Sequence, residues 1–355
     1  MTIAGAGAGA SRALAGYRRL ARRRALILSA GGALLATGAL VDIATGPAAL
    51  PLGTVLRTLL GSAAPDPSTE AILWAIRLPV ACMAVVVGAA LGLSGAVMQT
   101  VLNNPLASSY TLGISAGAGF GAALAIAAGG ALPVVGAYAV PACAFVFAAT
   151  TCLVILAIGR GRGMTPETMV LAGIGLLFLF QALQSLLQFL VSPETLQAIV
   201  FWLFGSLLKS TWPRVAAVAV VVAIGLPLVM ADAWRLTALK LGDERAQGLG
   251  VDLTALRRRL FLLVSALTAI AVAFVGTIGF IGLVAPHVAR MLVGEDHRFL
   301  LPMSALAGAI LLSAASIVSK TISPGAVFPI GIVTALLGVP FFFFLVLRAR
   351  RDYWR

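Results

Sequence analysis

Residues 79–128 read PVACMAVVVGAALGLSGAVMQTVLNNPLASSYTLGISAGAGFGAALAIAA and contain no acidic or basic side chain. The stretch divides into two apolar runs, near residues 79–100 and 109–128, around a short polar turn with Asn103, Asn104 and Pro105. A helix needs about 20 predominantly apolar residues to cross the hydrocarbon core of a bilayer. Each run meets that length, so the stretch predicts two membrane-spanning helices joined by a tight turn.

The same pattern recurs along the whole chain. Of the 355 residues, 61% are hydrophobic and only 10% are charged, and the mean hydropathy is +1.06. Soluble domains are about half apolar and a quarter charged, so this composition predicts an all-α, polytopic membrane protein. With the two spans above, the apolar runs predict ten transmembrane helices. The other eight lie near residues 25–43, 137–158, 168–191, 213–231, 260–276, 279–294, 301–320 and 329–347.

The net charge of +13 is distributed unevenly between the loops. If both termini face the cytoplasm, that side of the membrane holds 20 of the 25 basic residues and 8 of the 12 acidic ones. This excess follows the positive-inside rule and makes a nucleic-acid partner unnecessary as an explanation of the charge. The predicted organisation is a basic cytoplasmic tail with little structure at residues 1–24, one transmembrane domain at 25–347, and a second basic cytoplasmic tail at 348–355.

The centres of the predicted spans carry no aspartate, glutamate, lysine or arginine. Proton-coupled carriers usually need such groups inside the membrane, so an ion-coupled secondary transporter is disfavoured and is kept as the rival class. None of the three lysines, Lys209, Lys240 and Lys320, follows a glycine, as a nucleotide-binding P-loop requires. The two histidines, His287 and His297, have no convergent acidic partners. We therefore expect no catalytic residue, no metal site and no cofactor in this chain.

The longest polar interior segment covers about residues 232–259 and contains a short helical pattern at 236–251. Gly242 and Gly250 can end short helices. Apolar residues recur around a polar Asp-Glu-Arg triplet, at Leu236, Leu239, Ala246 and Leu249. A short helix–turn–helix of this kind could seat in a groove on a cytosolic partner, and an ordinary solvated loop is the alternative.

Several longer motifs follow one another in order between about residues 70 and 347. They read GAALGLSGAVMQTVLNNPLASSYTLGISAG at 88–117, LGDERA at 241–246, GTIGFIGLVAPHVARMLVGEDHR at 276–298 and PIGIVTALLGVPFF at 329–342. With these motifs the chain resembles the FecCD family, the permease subunits of type II ABC importers for iron–siderophore complexes, haem and vitamin B12.

The resemblance implies a set of partners. It implies a permease homodimer in the lipid bilayer of the inner (cytoplasmic) membrane, with two ATP-binding cassette subunits that hold ATP and Mg²⁺. A periplasmic or lipid-anchored substrate-binding protein would deliver the solute. An iron–siderophore complex is the expected cargo, and haem or cobalamin (a corrinoid) is the alternative.

The resemblance also implies roles for particular residues on the cytoplasmic side. In such permeases the helix pair after the sixth span docks onto the ATPase. That role falls here on Leu239, Gly242, Asp243, Glu244, Arg245, Ala246 and Gly250. The Asn-Pro-Leu-Ala turn contributes to the cytoplasmic gate, which implicates Asn104 and Leu106, and a simple interhelical corner is the alternative for this turn.

On the outer side, members of the family contact carboxylates of the binding protein with arginines. Arg77 matches one of these arginines, Lys320 stands where another is usual, and Val80 replaces a third. Lysine keeps the charge but loses the bidentate geometry of arginine. Ser316 and Val327 stand where acidic residues are usual, so we expect a binding-protein interface that departs from the family pattern. Anchoring of helix ends at the membrane interface is the alternative role for the two cations.

The fifth predicted span carries a polar stripe. Gln181, Gln184 and Gln188 are three and then four residues apart, so they share one side of a helix. Such a neutral wall would suit the passage of a bulky hydrophilic solute, and hydrogen bonding between helices is the alternative. His287 and Arg290 match the Pro-His-x-x-Arg motif of the family, and we expect His287 to be structural rather than a haem ligand.

Overall fold

The computed structural model describes residues 3–47, 50–61, 66–129, 138–322 and 326–348. Fifteen α-helices and one π-helical segment form the regular structure of these residues. The helices are α1 (Ile3–Ala44), α2 (Leu52–Leu59), α3 (Pro67–Ala71), α4 (Leu78–Val101), α5 (Ile114–Ala128), α6 (Ala139–Gly161), α7 (Pro166–Leu190), α8 (Pro193–Leu203), α9 (Trp212–Met230), α10 (Ala233–Leu239), α11 (Asp243–Gly248), α12 (Leu253–Val275), α13 (Ile281–Val293), α14 (His297–Thr321) and α15 (Ile330–Arg348), and the π-helical segment Ile72–Arg77 joins α3 to α4.

Seven of the described helices are long and apolar enough to cross a membrane. They are Gly16–Ala44 within α1, the continuous helix Pro67–Val101, α6, α7, α9, α12 and α14. Three shorter apolar helices, α5, α13 and α15, lie at the other three predicted spans. The 13 residues of α13 reach only about 20 Å of a core that is about 30 Å thick. The prediction of an all-α membrane protein is confirmed over the described residues. Of its ten predicted transmembrane helices, seven are long enough to cross a membrane, and the other three coincide with shorter apolar helices.

The central helix of the fold is α4. Of its 24 residues, 20 are buried, and it packs against α14, α13, α12 and α9. A Cβ atom on Gly92 would overlap the carbonyl oxygen of Ser304, and one on Gly88 would overlap that of Gly308. Both pairs of small residues have the four-residue spacing that lets transmembrane helices approach closely. Because α4 is held in this way, the polar groups at its two ends have defined positions.

In contrast, α7 and α15 lie at the periphery of the fold and expose large apolar side chains. In α7, Phe178 is 64% exposed and Phe189 is 84% exposed. In α15, Leu336 is 67% exposed and Phe343 is 59% exposed. Apolar surface of this kind requires cover by lipid or by another protein chain.

The N-terminal region differs from its prediction. The expected tail with little structure at residues 1–24 is instead helical from Ile3 and continues into the first span. Alanine and arginine have high helix propensities, and the apolar span that follows supplies a stable helix for them to extend.

The loops also contain more helix than the sequence predicted. Helices α2 and α3 follow the first span, and α8 follows α7. The third span begins at Ile114 rather than near residue 109. At the other end of the chain, helix α15 reaches Arg348, and residues 349–355 of the expected C-terminal tail lie outside the described residues.

Candidate coupling, gating and docking sites

Two short helices, α10 and α11, lie between α9 and α12, where the sequence predicted a helix pair. Gly242 connects them with φ = 96°, and Gly250 follows α11 with φ = 83°. Glycine adopts such positive φ values without steric penalty. Glycine turns therefore precede and follow α11, the helix that begins with the Asp-Glu-Arg triplet.

The pair has one buried and one exposed face. Leu236, Leu239 and Ala246 are buried. Leu239 and Ala246 were expected to contact the ATPase, but in the folded chain they pack against the membrane domain and lie behind the exposed residues. Leu249 departs from the expected apolar face and is 55% exposed, and Leu241, in the turn before α11, is 52% exposed. We define the docking face as the exposed residues Leu241, Gly242, Asp243, Glu244, Arg245, Leu249 and Gly250. Two exposed leucines together with charged side chains give this face both the apolar and the polar groups of a protein interface.

Arg257 anchors the docking face to the membrane domain. Its Nη2 donates to Oδ1 and Oδ2 of Asp243, at 2.8 and 2.9 Å, and its Nη1 donates to the carbonyl oxygen of Met164 at 3.4 Å. The Arg257 side chain is only 4% exposed. A second anchor is Asp232, whose fully buried side chain pairs with Arg235 at 2.8 Å and also with Arg259. Asp243, predicted to contact a partner, therefore also fixes α11 to α12.

The predicted gate residues form a compact turn at the end of α4. The Asn104 side chain accepts a hydrogen bond from the backbone N–H of Leu106 at 2.9 Å. The backbone N–H of Asn104 donates to the carbonyl oxygen of Gln99 at 3.0 Å. Asn103 adopts φ = 44°, a value that asparagine tolerates better than most residues. Asn104 and Leu106 are half-buried, so the turn closes on itself at the surface of the domain.

The two predicted docking cations are buried at the outer end of the fold. Lys320 Nζ donates to Oδ1 of Asp42 at 2.8 Å and to its carbonyl oxygen at 3.1 Å. Arg77 Nη1 donates to the carbonyl oxygens of Ile43 and Ala44, at 2.9 and 2.8 Å. Both side chains therefore hold the C-terminal end of α1 against α4 and α14. Their contact with a binding protein stays a prediction.

The residues that depart from the family pattern do not form one exposed corner. Ser316 is 1% exposed and lies one helical turn before Lys320 within α14, and Val80 is 3% exposed within α4. Val327 is half-buried before α15. Ser316 and Val80, expected to change the charge of an outer surface, are therefore both buried between packed helices.

The glutamine stripe of α7 lies on the outside of the single chain. Gln181 is exposed, and Gln184 and Gln188 are half-buried. Gln184 approaches α5, because its Oε1 would lie 3.0 Å from a Cβ atom on Gly119. His287 Nδ1 lies 3.0 Å from the carbonyl oxygen of Leu283, one turn earlier in α13.

Sequence reasoning missed the segment that joins α13 to α14. His297 is fully buried between α4 and α10, and Glu295 pairs with Lys240 and Arg290, each at 3.4 Å. Asp296 caps α14 by accepting from the backbone N–H of Arg298 at 3.1 Å. Partial burial opposes its ionisation, but the hydrogen bonds and charge of Arg298 outweigh this effect, so the pKa of Asp296 lies below its usual value. The signal was the cluster of four polar residues, 295–298, between two apolar runs.

The order and spacing of these elements match a known family. The model of the FecCD transport family matches residues 34–348, which include the end of the first apolar segment, the other nine segments and the α10–α11 pair. The chain belongs to the FecCD transport family. The resemblance found from the sequence motifs is thereby confirmed.

Relatives of this FecCD chain extend over most of its length. The iron(3+)-hydroxamate import system permease protein FhuB of Bacillus subtilis is 36% identical, with 92% of this chain and 84% of that protein covered. The cobalamin import system permease protein BtuC of Halobacterium salinarum is 40% identical, with 79% and 74% covered. A solved structure described as a metal-chelate type ABC transporter in an inward-facing conformation superimposes with a TM-score of 0.80 at 33% identity, covering 91% of this chain and 99% of that one.

The FecCD motifs of the sequence have distinct places in the fold. Residues 88–117 form the second half of α4, the turn at 103–106 with the predicted gate residues (the gate turn) and the start of α5. Residues 241–246 form the turn before α11 and the first four residues of that helix. Residues 276–298 form α13, the non-helical segments on both sides of it and the first two residues of α14, and residues 329–342 form most of α15. Three of these four motifs therefore include a change in chain direction, and the fourth forms an edge helix.

Proposed function

We propose that this chain is the membrane-spanning permease subunit of an ATP-driven ABC importer and carries an iron–siderophore complex across the cytoplasmic membrane. The observation that carries the proposal is the docking face. Its leucines Leu241 and Leu249 are both exposed, yet Arg257 ties its acidic residue Asp243 to α12. A partner bound to this face can therefore exert force on the membrane helices.

The energy source in this proposal is a separate ATPase subunit. The sequence has no Gly-Lys pair of the kind that a P-loop uses to hold phosphates. ATP and Mg²⁺ would bind to two partner cassettes, one beneath each permease, and this chain would have no catalytic residue. The surface offered to each cassette is the docking face, which includes residues of α11 and of the turns before and after it.

We propose further that two copies of the chain enclose the pathway. The glutamine stripe of α7 is on the outside of one chain, and large apolar side chains of α7 and α15 are also exposed, including Phe178, Phe189 and Leu336. A second copy covering these helices would bury the apolar residues. It would also turn Gln181, Gln184 and Gln188 toward a space shared by the two subunits.

On the outer side we propose a binding-protein site around the ends of α1, α4 and α14. Arg77 and Lys320 both hold the C-terminal end of α1 there. In this arrangement the two cations hold in place the end of α1, which forms part of the docking site.

The proposed cargo follows from the relatives. FhuB of Bacillus subtilis is named for iron(3+)-hydroxamate import, and the solved structure is described as a metal-chelate type transporter. These names support a ferric chelate as the solute. The cobalamin permease of Halobacterium salinarum makes a corrinoid the next compound to test.

The test is uptake in iron-starved cells that lack their own chelate permeases. The chain is co-expressed with its neighbouring ATPase and binding-protein genes, and labelled ferric hydroxamate, haem and cobalamin are supplied separately. We expect uptake of the ferric chelate, and loss of that uptake when the ATPase carries a substitution that abolishes hydrolysis.

Two results would contradict parts of the proposal. Uptake that persists with the inactive ATPase would exclude an ABC mechanism and point to an ion gradient. ATP-dependent uptake of cobalamin or haem in place of the ferric chelate would keep the mechanism and correct the cargo.

A further inference from the structure

Two bridges of polar side chains connect the α10–α11 pair with the last turn of α4. Both bridges pass through the short segment 294–297, which joins α13 to α14. One bridge is centred on His297 and the other on Glu295.

The histidine bridge is buried in the fold. His297 is 0% exposed. Its Nε2 lies 2.8 Å from Oγ1 of Thr100 in α4, and its Nδ1 lies 3.1 Å from Oγ1 of Thr237 in α10. A neutral imidazole has one N–H and one acceptor nitrogen, so it can bond to both hydroxyls at once. The ring therefore joins α10 to α4 through two hydrogen bonds, of which the one to Thr100 is buried and the one to Thr237 is partly buried.

The carboxylate bridge follows a parallel route and is partly exposed. Lys240 Nζ, at the end of α10, lies 3.4 Å from Oε1 of Glu295, and the same oxygen lies 3.4 Å from Nε of Arg290. Arg290 Nη2 then donates to Oε1 of Gln99 in α4 at 3.1 Å. Because the Glu295 side chain is 45% exposed, water weakens this route relative to the histidine bridge.

The two bridges end on adjacent residues of α4, and these residues also hold the gate turn. The carbonyl oxygen of Gln99 accepts from the backbone N–H of Asn104 at 3.0 Å. The carbonyl oxygen of Thr100 accepts from the backbone N–H of Asn103 at 3.2 Å. A displacement of the Gln99–Thr100 peptide therefore changes the hydrogen bonds that shape the turn.

We propose that His297, supported by Glu295, is a positioning residue that makes the gate turn at Asn103–Leu106 follow the movement of the α10–α11 pair. This inference rests on the proposed function, because it assumes that an ATPase moves the pair. Apolar packing between α10 and α4 would allow the helices to slide. Separating them at His297 would leave the buried imidazole without its two side-chain partners, although each threonine hydroxyl would keep its bond to a carbonyl oxygen of its own helix, so the helices are favoured to move together.

The experiment uses the full complex of permease, ATPase and binding protein in proteoliposomes, with ferric hydroxamate as the solute. ATP hydrolysis and solute uptake are measured together, per assembled complex. Thr100→Val and Thr237→Val each remove one end of the bridge with little change in volume. We expect ATP hydrolysis to be retained and the solute transported per ATP to fall by about tenfold, the effect of one buried hydrogen bond on an equilibrium.

The double variant distinguishes a shared bridge from two separate defects. If both threonines act through His297, Thr100→Val with Thr237→Val lowers the transport ratio no further than either change alone. Thr237→Ser, which keeps the hydroxyl, should restore the ratio. The matched control is Thr151→Val, since the Thr151 hydroxyl is equally buried and donates to the carbonyl oxygen of Phe147, four residues earlier, as that of Thr100 donates to Ala96.

An unchanged ratio in both single variants would overturn the inference. So would a double variant whose defect is the product of the single defects, or variants that assemble poorly but keep the normal ratio once assembled. If the unaltered chain shows no ATP-dependent uptake of any solute, the proposed function itself fails, which is a different result from an unchanged ratio in a working complex.

Discussion

Lys320 and Asp42 form an ion pair at the outer end of the fold, with Nζ 2.8 Å from Oδ1. The lysine side chain is 7% exposed and the carboxylate is completely buried. The pair joins the ends of α14 and α1, which are 278 residues apart in sequence. A lysine expected at a protein interface is thus part of the internal structure.

Replacing Lys320 alone should destabilise the protein. Lys320→Met leaves the Asp42 carboxylate buried without this partner, and breaking a buried pair in this way costs about 3 kcal/mol. Adding Asp42→Asn removes the unpaired charge and should recover most of the loss. Thermal unfolding in detergent, followed by tryptophan fluorescence, measures both variants.

The same variants test direct contact with the binding protein. We expect the double variant Asp42→Asn with Lys320→Met to keep its affinity for the binding protein, because the lysine has little accessible surface. A double variant that is stable but binds more weakly, with a reduced dependence on salt, would instead assign Lys320 to the interface.

The contact between Arg257 and Asp243 should be needed for coupling. Asp243→Asn weakens a charge-assisted bond to a buried guanidinium, an interaction of about 2 kcal/mol. We expect the stimulation of ATPase activity by the loaded binding protein to fall. Glu167→Gln, an exposed carboxylate in the first turn of α7, is the control. Equal stimulation in the two variants would speak against the role of Asp243.

The exposed leucines of the docking face should hold the ATPase. Leu241→Asp puts a charge where an apolar side chain is 52% exposed, so it should abolish co-purification of the ATPase without changing the unfolding temperature. Leu241→Met retains the apolar volume and should retain the complex. Continued association of the ATPase with Leu241→Asp would show that the partner binds elsewhere.

The packing of α4 on α14 should be intolerant of a single methyl group at Gly92. Gly92→Ala drives a Cβ into the carbonyl oxygen of Ser304, and overpacking of this kind costs about 1–3 kcal/mol. Gly32→Ala, in α1, meets no atom within 4 Å and should be neutral or slightly stabilising. Unfolding temperatures in detergent compare the two, and equal values would argue against the tight α4–α14 contact.

Much of the cytoplasmic side could be predicted from the sequence because its signals are local. The glycines at 242 and 250 and the apolar spacing of Leu236, Leu239 and Ala246 indicated the α10–α11 pair. The exposure of Leu249 could not be predicted, since the orientation of α11 depends on Arg257 in the next helix. The role inferred for His297 could not be predicted from the sequence, because its partners Thr100 and Thr237 are 197 and 60 residues away.

The sequence by itself determined that this protein is an all-helical membrane protein with ten apolar segments, because hydropathy and loop charge act on each segment separately. The sequence also determined the family, since several long motifs of that family occur along the chain in the expected order. Only the tertiary structure decided which charges are surface groups and which are internal. From the sequence alone, Arg77 and Lys320 are charged side chains that would be expected in water. The folded chain brings the end of α1 beside them, and its carbonyl and carboxylate oxygens replace water as their hydrogen-bond acceptors.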